Sequence, residues 1–522
     1  MNCVDFSRDV DKPHLVSGSD DGHVKVWDYQ TRQCLFTFDQ PMGGHNESVA
    51  AVLFHPDMPI IFSAGEDEVI NVWNSSSFKV VTQLPYGMKR VWSIAAVPEM
   101  NAVAFGMDEG TIVIKIGKDS PLATFSNGKV VQVKKTELLT FNLKLLTGSD
   151  ESSKDGEIIK PQNVKELGQS ETFAQGIKFA PTGRYFAIIG DHDFVIYAYP
   201  KFQNAAFGPG SDLVWSTHNA SSTHSFAVKL ENGLVKVYKN FGEYKAFKTS
   251  FANEGIYGGR LLGIRSKDFV TFYDWDDFNV VRRIDLGQNL KHVIWSEDGS
   301  KVVLALEENF YLLEFHADIL EKLLASGTPT PEDAEDGFEE AFTFVEEFSE
   351  TINSGQWISQ NCFVFVNTRG NINYLIGNKI IKLGNADKKQ HILGYDGKQS
   401  RLYLIDKSLN IYTHRLLLSV IDFQDAILND NQKKALSLQA QIPPSYHGKL
   451  AKFLEQTNHK DMAFDLTPDQ DHKFDLALQL NRVKEAYEIA ELQNNSEKFK
   501  KVGDIALLSG QFTLAEQCFD KS

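Results

Sequence analysis

Four cysteines in 522 residues, Cys3, Cys34, Cys362 and Cys518, lie far apart, and no Cys-x-x-Cys pair occurs. That excludes a disulfide framework and a thiolate zinc site, and it fits a reducing cytosol. Basic residues are in deficit. Lys and Arg number 53 against 69 Asp and Glu, giving a net charge of −16 and a pI of about 5.4. So acidic a chain lacks the basic footprint of a nucleic-acid binder. No apolar run approaches the roughly 18 residues of a membrane-spanning helix, and the N-terminus has no signal-peptide pattern. Catalytic signatures are missing as well. There is no phosphate-cradling Gly-x-x-x-x-Gly-Lys-Ser/Thr, no Gly-x-Ser-x-Gly elbow and no His-Glu-x-x-His. The 14 histidines do not cluster. No enzyme, cofactor or metal site is expected.

What the chain does contain is repetition. Leu15 to Asp28 reads Leu-Val-Ser-Gly-Ser-Asp-Asp-Gly-His-Val-Lys-Val-Trp-Asp, and Ile61 to Asn74 is a version of it. Trp27 and Trp73 are 73 − 27 = 46 residues apart, with Gly44-His45 between them. That period, with Gly-His before and Trp-Asp after, marks a four-stranded propeller blade. A degenerate third copy follows: Val91 to Ile94, Ala102 to Gly106, a turn at Asp108-Glu109-Gly110, and alternation from Thr111 to Ile116. Glu109 falls 109 − 67 = 42 residues after Asp67, and Lys115 stands where the tryptophans stood. Residues 1–125 are therefore expected to be the last three blades of a WD40 propeller. Propellers close with roughly 4–8 blades, so N-terminal blades are expected to be lacking.

Residues 126–414 continue as short strands with Asn, Asp and Gly turns, such as Phe179 to Ala187, Phe269 to Trp275 and Val302 to Leu306. They predict a second β-propeller. Near 317–350 the pattern breaks. Glu332 to Glu350 holds nine acidic and no basic residues. Phe338, Phe342, Val345 and Phe348 recur there at helical spacing, which predicts a short amphipathic helix over the disc. Asp150 to Lys160 reads as an exposed polar loop. From 415 to 522 the period changes to 3.6, with small residues at Ala477, Ala486, Ala490, Ala506 and Ala515, as in an α-solenoid of helix pairs. The fold class is mainly β, then α: a partial WD40 propeller, a second propeller, then the start of a solenoid.

Candidate site residues come from the turns between the second and third strands of each blade. Asp21, Asp67 and Glu109 occupy the turn position expected to be buried and hydrogen-bonded within the blade, alongside Trp27, Trp73 and His45. The residue before each, Asp20, Glu66 and Asp108, points out where the turns converge. Three carboxylates around one rim create a negative potential that attracts an ammonium group, and lysine, a point charge, suits such a site. Asp and Glu also favour turns, so the residues alone leave a binding rim and a coincidence equally open.

Further stretches carry a resemblance. They are Asp11-Lys12-Pro13, Ile-Asn-Val-Trp-Asn-Ser-Ser from Ile70 to Ser76, Gly255-Ile256-Tyr257-Gly258-Gly259 and Tyr273-Asp274-Trp275-Asp276. Val281-Arg282-Arg283-Ile284-Asp285, Leu393-Gly394-Tyr395, Ala451-Lys452-Phe453-Leu454-Glu455 and Phe474-Asp475-Leu476-Ala477-Leu478 complete the set. Along essentially its whole length the chain resembles the coatomer β′ family, WD-repeat subunits of the COPI coat of Golgi-derived vesicles. The resemblance implies two seven-bladed propellers and an α-solenoid. It implies a coat subunit and adaptor for dilysine cargo tails in Golgi-to-ER and intra-Golgi transport. Asp20 would fall on the acidic rim that helps hold a cargo lysine, while the basic residues gripping the tail's carboxylate would belong to earlier, absent blades. Implied partners are the other coatomer subunits, especially α, and an ARF-family small GTPase. The implied location is the cytoplasm and the cytosolic side of Golgi and COPI-vesicle membranes. The competing class is a WD-repeat substrate receptor of another soluble assembly, such as a ubiquitin ligase. It needs a linker-protein box outside the repeats, and none is visible.

Overall fold

The computed structural model describes residues 1–8, 12–39, 44–97, 101–117, 120–134, 136–143, 155–161, 163–218, 223–326, 336–493 and 495–522. Alternating β-branched and aromatic runs become antiparallel sheets, built from strands consecutive in sequence except where one short strand crosses over to close a ring. The first sheet is Cys3–Phe6, His14–Gly18, Val24–Asp28 and Gln33–Phe38. The second is Val49–Phe54, Ile60–Gly65, Val69–Asn74 and Val80–Pro85. The third has three strands, Val91–Val97, Ala102–Met107 and Gly110–Lys115. These sheets stack face to face. Val16, Val24, Val26 and Phe38 of the first meet Val49, Val52, Ile61 and Trp73 of the second. Phe62, Ile70 and Val72 on the far side of the second meet Val91, Val103 and Phe105 of the third. The two outer flanks are open, with Phe6 55% and Val113 67% exposed. Gly22 shows why the turns carry glycine. Its φ is +77°, and a Cβ there would lie 2.8 Å from the His45 carbonyl oxygen.

A second ring of seven four-stranded sheets follows. Its innermost strands are Ala123–Ser126, Gly176–Phe179, Asp212–Trp215, Gly255–Tyr257, His292–Trp295, Ser354–Ser359 and Gln390–Asp396. The first of these starts at Ala123, three residues ahead of the expected boundary at 126. The ring closes at two places. On the inside, Phe125 of the first sheet packs against Gly394 and Tyr403 of the last. On the outside, Ile158–Ile159 leaves the first sheet between Glu137–Asn142 and Lys165–Gln169 and pairs with Ile411–Arg415 of the last. The clasp is extended by Gly156 N–H donating to the Thr413 carbonyl (2.9 Å) and Arg415 N–H to Asp155 Oδ1 (2.8 Å). Of the predicted polar loop Asp150 to Lys160, residues 150–154 lie outside the described residues. The remainder is corrected: it holds the ring-closing strand.

The predicted acidic helix is also corrected. The helix α1 lies earlier, at Ala317–Ser326, and residues 327–335, including Glu332, lie outside the described residues. Phe342–Phe348 is the outer strand of the fifth ring sheet. It carries a bulge that skips Val345. The bulge reverses which face each later residue serves. Phe342 therefore packs on Phe272 and Phe315 to one side, while Phe348 stacks on Phe310 to the other. Service to two cores imitates helical spacing. Ahead of the strand, Phe338 N–H donates to the Val281 carbonyl (2.8 Å), and Arg282 pairs with Glu339 (3.6 Å), tying the insertion to the fourth sheet.

Beyond Arg415 come α2 (Leu418–Leu428), α3 (Gln432–Gln439), α4 (His447–Gln456), α5 (Lys460–Leu466), α6 (Gln470–Gln479), α7 (Val483–Gln493), α8 (Ser496–Leu508) and α9 (Phe512–Asp520). Asn431, Asp469 and Asn495 cap α3, α6 and α8 by accepting from the Lys434, Asp471 and Glu497 amides. Ala477, Ala486, Ala490, Ala506 and Ala515 are buried where neighbouring helices approach. The rod is seated on the ring. Ile421 of α2 joins Val364, Tyr374 and Leu402 in one core, and the Tyr374 hydroxyl donates to Gln424 Oε1 (3.2 Å). No helix among the described residues is long and apolar enough to cross a membrane.

Candidate functional site

The second sheet carries a buried relay. Trp73 Nε1–H donates to Ser63 Oγ (2.8 Å), so the serine hydroxyl donates to His45 Nε2 (2.8 Å). His45 Nδ1–H then donates to Asp67 (2.9 Å). Burial alone would raise the Asp67 pKa, but the His45 bond and the Asn46 and Val69 amides outweigh it, and the net direction is down. The relay fixes the turn that presents Glu66.

The expected counterparts in the other two sheets are corrected. Asp21 is exposed and, among the described residues, bonds within its own turn, where it accepts from the His23 amide (3.1 Å). Trp27 still reaches Ser17 (2.9 Å). Glu109 is exposed and pairs with Lys89 (3.1 Å). The position 22 residues ahead of it, matching the spacing from His45 to Asp67, is Gly87, followed by Met88. No imidazole arrives there to bury the acid.

The three outward acids do share one face. Asp20 accepts from Asn2 Nδ2 (2.7 Å) and from the Ser48 hydroxyl (2.8 Å). Those two donors hold its carboxyl below the usual carboxylate range. Ser48 directly precedes the inner strand of the second sheet, and its carbonyl accepts from the Glu66 amide (3.0 Å). Glu66 and Asp108 line a common cleft with Glu47, Glu68, Lys89 and Arg90. Asp108 accepts from the half-exposed Trp92 indole (2.5 Å), and its amide donates to the Arg90 carbonyl (3.2 Å). The chain from Asp20 through Ser48 and Glu66 to Arg90 and Asp108 thus crosses three sheets along one rim.

Residues 135–406, more than half of the chain, match the family described as COPA/B second beta-propeller. The chain belongs to the COPA/B coatomer family. Residues 423–522 match the COPA/B TPR domain, and residues 1–28 and 32–74 match the WD domain, G-beta repeat. The rat coatomer subunit beta′ is 37% identical over 519 residues, covering 99% of this chain and 56% of its own length. The Arabidopsis thaliana coatomer subunit beta′-1 is 36% identical over 520 residues, covering 99% and 55%. The human subunit beta′ is 38% identical over 519 residues, with the same coverage as the Arabidopsis protein. The chain spans about half the length of the curated relatives it matches.

In this coatomer chain, reading the sequence alone missed four participants in the rim: Asn2, Ser48, Arg90 and Trp92. Ser48 and Arg90 had a signal. Each directly precedes a buried valine that opens an inner strand, Val49 and Val91, so each sits where a strand meets the face of the turns.

Proposed function

We propose that this chain is a COPI-type coat scaffold and cargo adaptor, working by contact and not by turnover. The rim would take lysine side chains from the cytosolic tails of membrane cargo. The helical rod would join other coatomer subunits, the α subunit first among them, and an ARF-family GTPase would bring the assembly to Golgi and vesicle membranes. The observation that carries this reading is the bonded line of Asp20, Ser48 and Glu66 across two adjacent sheets. It places carboxylates one blade apart on a single face. A carboxylate aimed outward and held ionised by neutral donors suits a charge-assisted bond to an ammonium group.

The test is titration of a peptide ending Lys-Lys-Xaa-Xaa against the chain and its Asp20→Ala, Glu66→Ala and Asp108→Ala variants. Exposed contacts of this kind are weak because water screens them, so each variant is expected to weaken binding by no more than about fivefold. Added salt should weaken the parent further. Identical affinity across all three variants removes the rim as the cargo site.

A further inference from the structure

We propose that Arg90 is a built-in competitor for the ligand's lysine and sets how tightly the rim binds it. This rests on the reading of the rim above. The argument is positional. Ser48 directly precedes the inner strand of the second sheet and reaches back to the acid of the preceding sheet, Asp20, with a neutral hydroxyl at 2.8 Å. Arg90 stands at the same place in the third sheet and reaches back to the acid of its preceding sheet, Glu66, with a guanidinium at 3.8 Å. The main chain is alike in both: the Ser48 carbonyl accepts from the Glu66 amide, and the Arg90 carbonyl from the Asp108 amide. One junction orients its carboxylate for an incoming cation. The other already offers its carboxylate a cation.

That cation is displaceable. The Arg90 and Glu66 side chains are 52% and 34% exposed, so water screens the pair. The contact is one long approach of Nη1, not the two-pronged fork that arginine forms with a committed carboxylate. Lys89 next door is engaged by Glu109 at 3.1 Å, which leaves Arg90 as the cation set against Glu66 in the cleft. A lysine arriving at Glu66 must push the guanidinium aside and sit near its charge. Removing the Arg90 charge therefore does the opposite of removing a rim acid.

The experiment titrates a fluorescein-labelled Lys-Lys-Xaa-Xaa peptide into the full chain, into Arg90→Gln, Arg90→Lys and Glu66→Gln, and into the double variant Arg90→Gln with Glu66→Gln. A peptide with both lysines replaced by alanine is the control. Expected is a two- to fivefold gain in affinity for Arg90→Gln at low salt, with a steeper salt dependence. Arg90→Lys should stay near the parent. The gain should vanish when Glu66→Gln is present, since the competitor then has no acid to guard. A silent or weakened Arg90→Gln, beside acid variants that do lose affinity, overturns the inference and leaves the rim standing. Silence of Glu66→Gln, and of the Asp20→Ala variant above, overturns both. Among the described residues Arg90 holds the fold through its carbonyl, and its side chain makes one exposed approach to Glu66, so unchanged thermal melting is expected of every Arg90 variant.

Discussion

Trp73→Ala will destabilise the three-sheet body by about 3–5 kcal/mol, the range for removing a fully buried large aromatic, and Trp27→Ala will cost markedly less. The two tryptophans are equivalents in the repeat, but their surroundings differ. Trp73 has no exposed surface, packs on Phe38 at a centroid distance of 4.1 Å and feeds the relay through Ser63 and His45 to Asp67. Its loss opens a cavity and strips a donor from a buried polar chain, and both costs add. Trp27 is only partly buried, and Asp21 of its sheet is exposed. The chain holds several bodies, so a single unfolding midpoint would blend them. Hydrogen exchange over residues 49–85 isolates the effect. Protection there should collapse in Trp73→Ala and persist in Trp27→Ala. Equal loss in both would mean that the relay adds nothing.

Gly394→Val will open the seven-sheet ring. A Cβ on Gly394 would lie 2.1 Å from Cδ1 of Phe125, in the seam where the first and last sheets meet. Phe125 is backed by Tyr403, at a centroid distance of 6.1 Å, and by Val130 and Phe141. The ring has little room to yield, and overpacking of this kind costs about 1–3 kcal/mol or more. The outer clasp of Ile158 and Ile159 is only two residues long, so it cannot hold the seam alone. Exchange protection should fall together over 123–126 and 390–396, segments far apart in sequence and adjacent in space. Adding Phe125→Ala should restore part of it by making room. Loss confined to 390–396, with no rescue, would contradict closure through this contact.

These two sites also mark how far the sequence could be read. Trp27, Trp73 and the Gly44-His45 pair announced blades because a relay needs fixed spacing, and spacing survives in the letters. Whether the relay is completed does not survive. Asp21 and Glu109 align with Asp67 but stay exposed, since burial depends on a histidine arriving from the loop that leads into the inner strand. Ring closure was equally hidden. Ile158 and Ile159 are two apolar letters in a polar stretch, and their partners lie some 250 residues later. The bulge at Val345 converted a period of two into an apparent helix. Helix α3 leaves little apolar period in the letters because only Ala435 of its eight residues is buried, and α5 because seven residues give too short a period. Asp20, Glu66 and Asp108 were legible as turn acids. Trp92 was not legible, because it reaches the face from an inner strand, while Ser48 and Arg90 were marked only by the buried valine that follows each.

The most direct measurement replaces one lysine of a Lys-Lys-Xaa-Xaa peptide with a photo-reactive lysine analogue and maps the crosslinked residue by mass spectrometry. The account predicts attachment within residues 18–22, 46–48, 66–68, 89–92 or 108–109, competed away by unlabelled peptide and by salt. Attachment concentrated on the seven-sheet ring or on the helices, with the rim unlabelled, would contradict it.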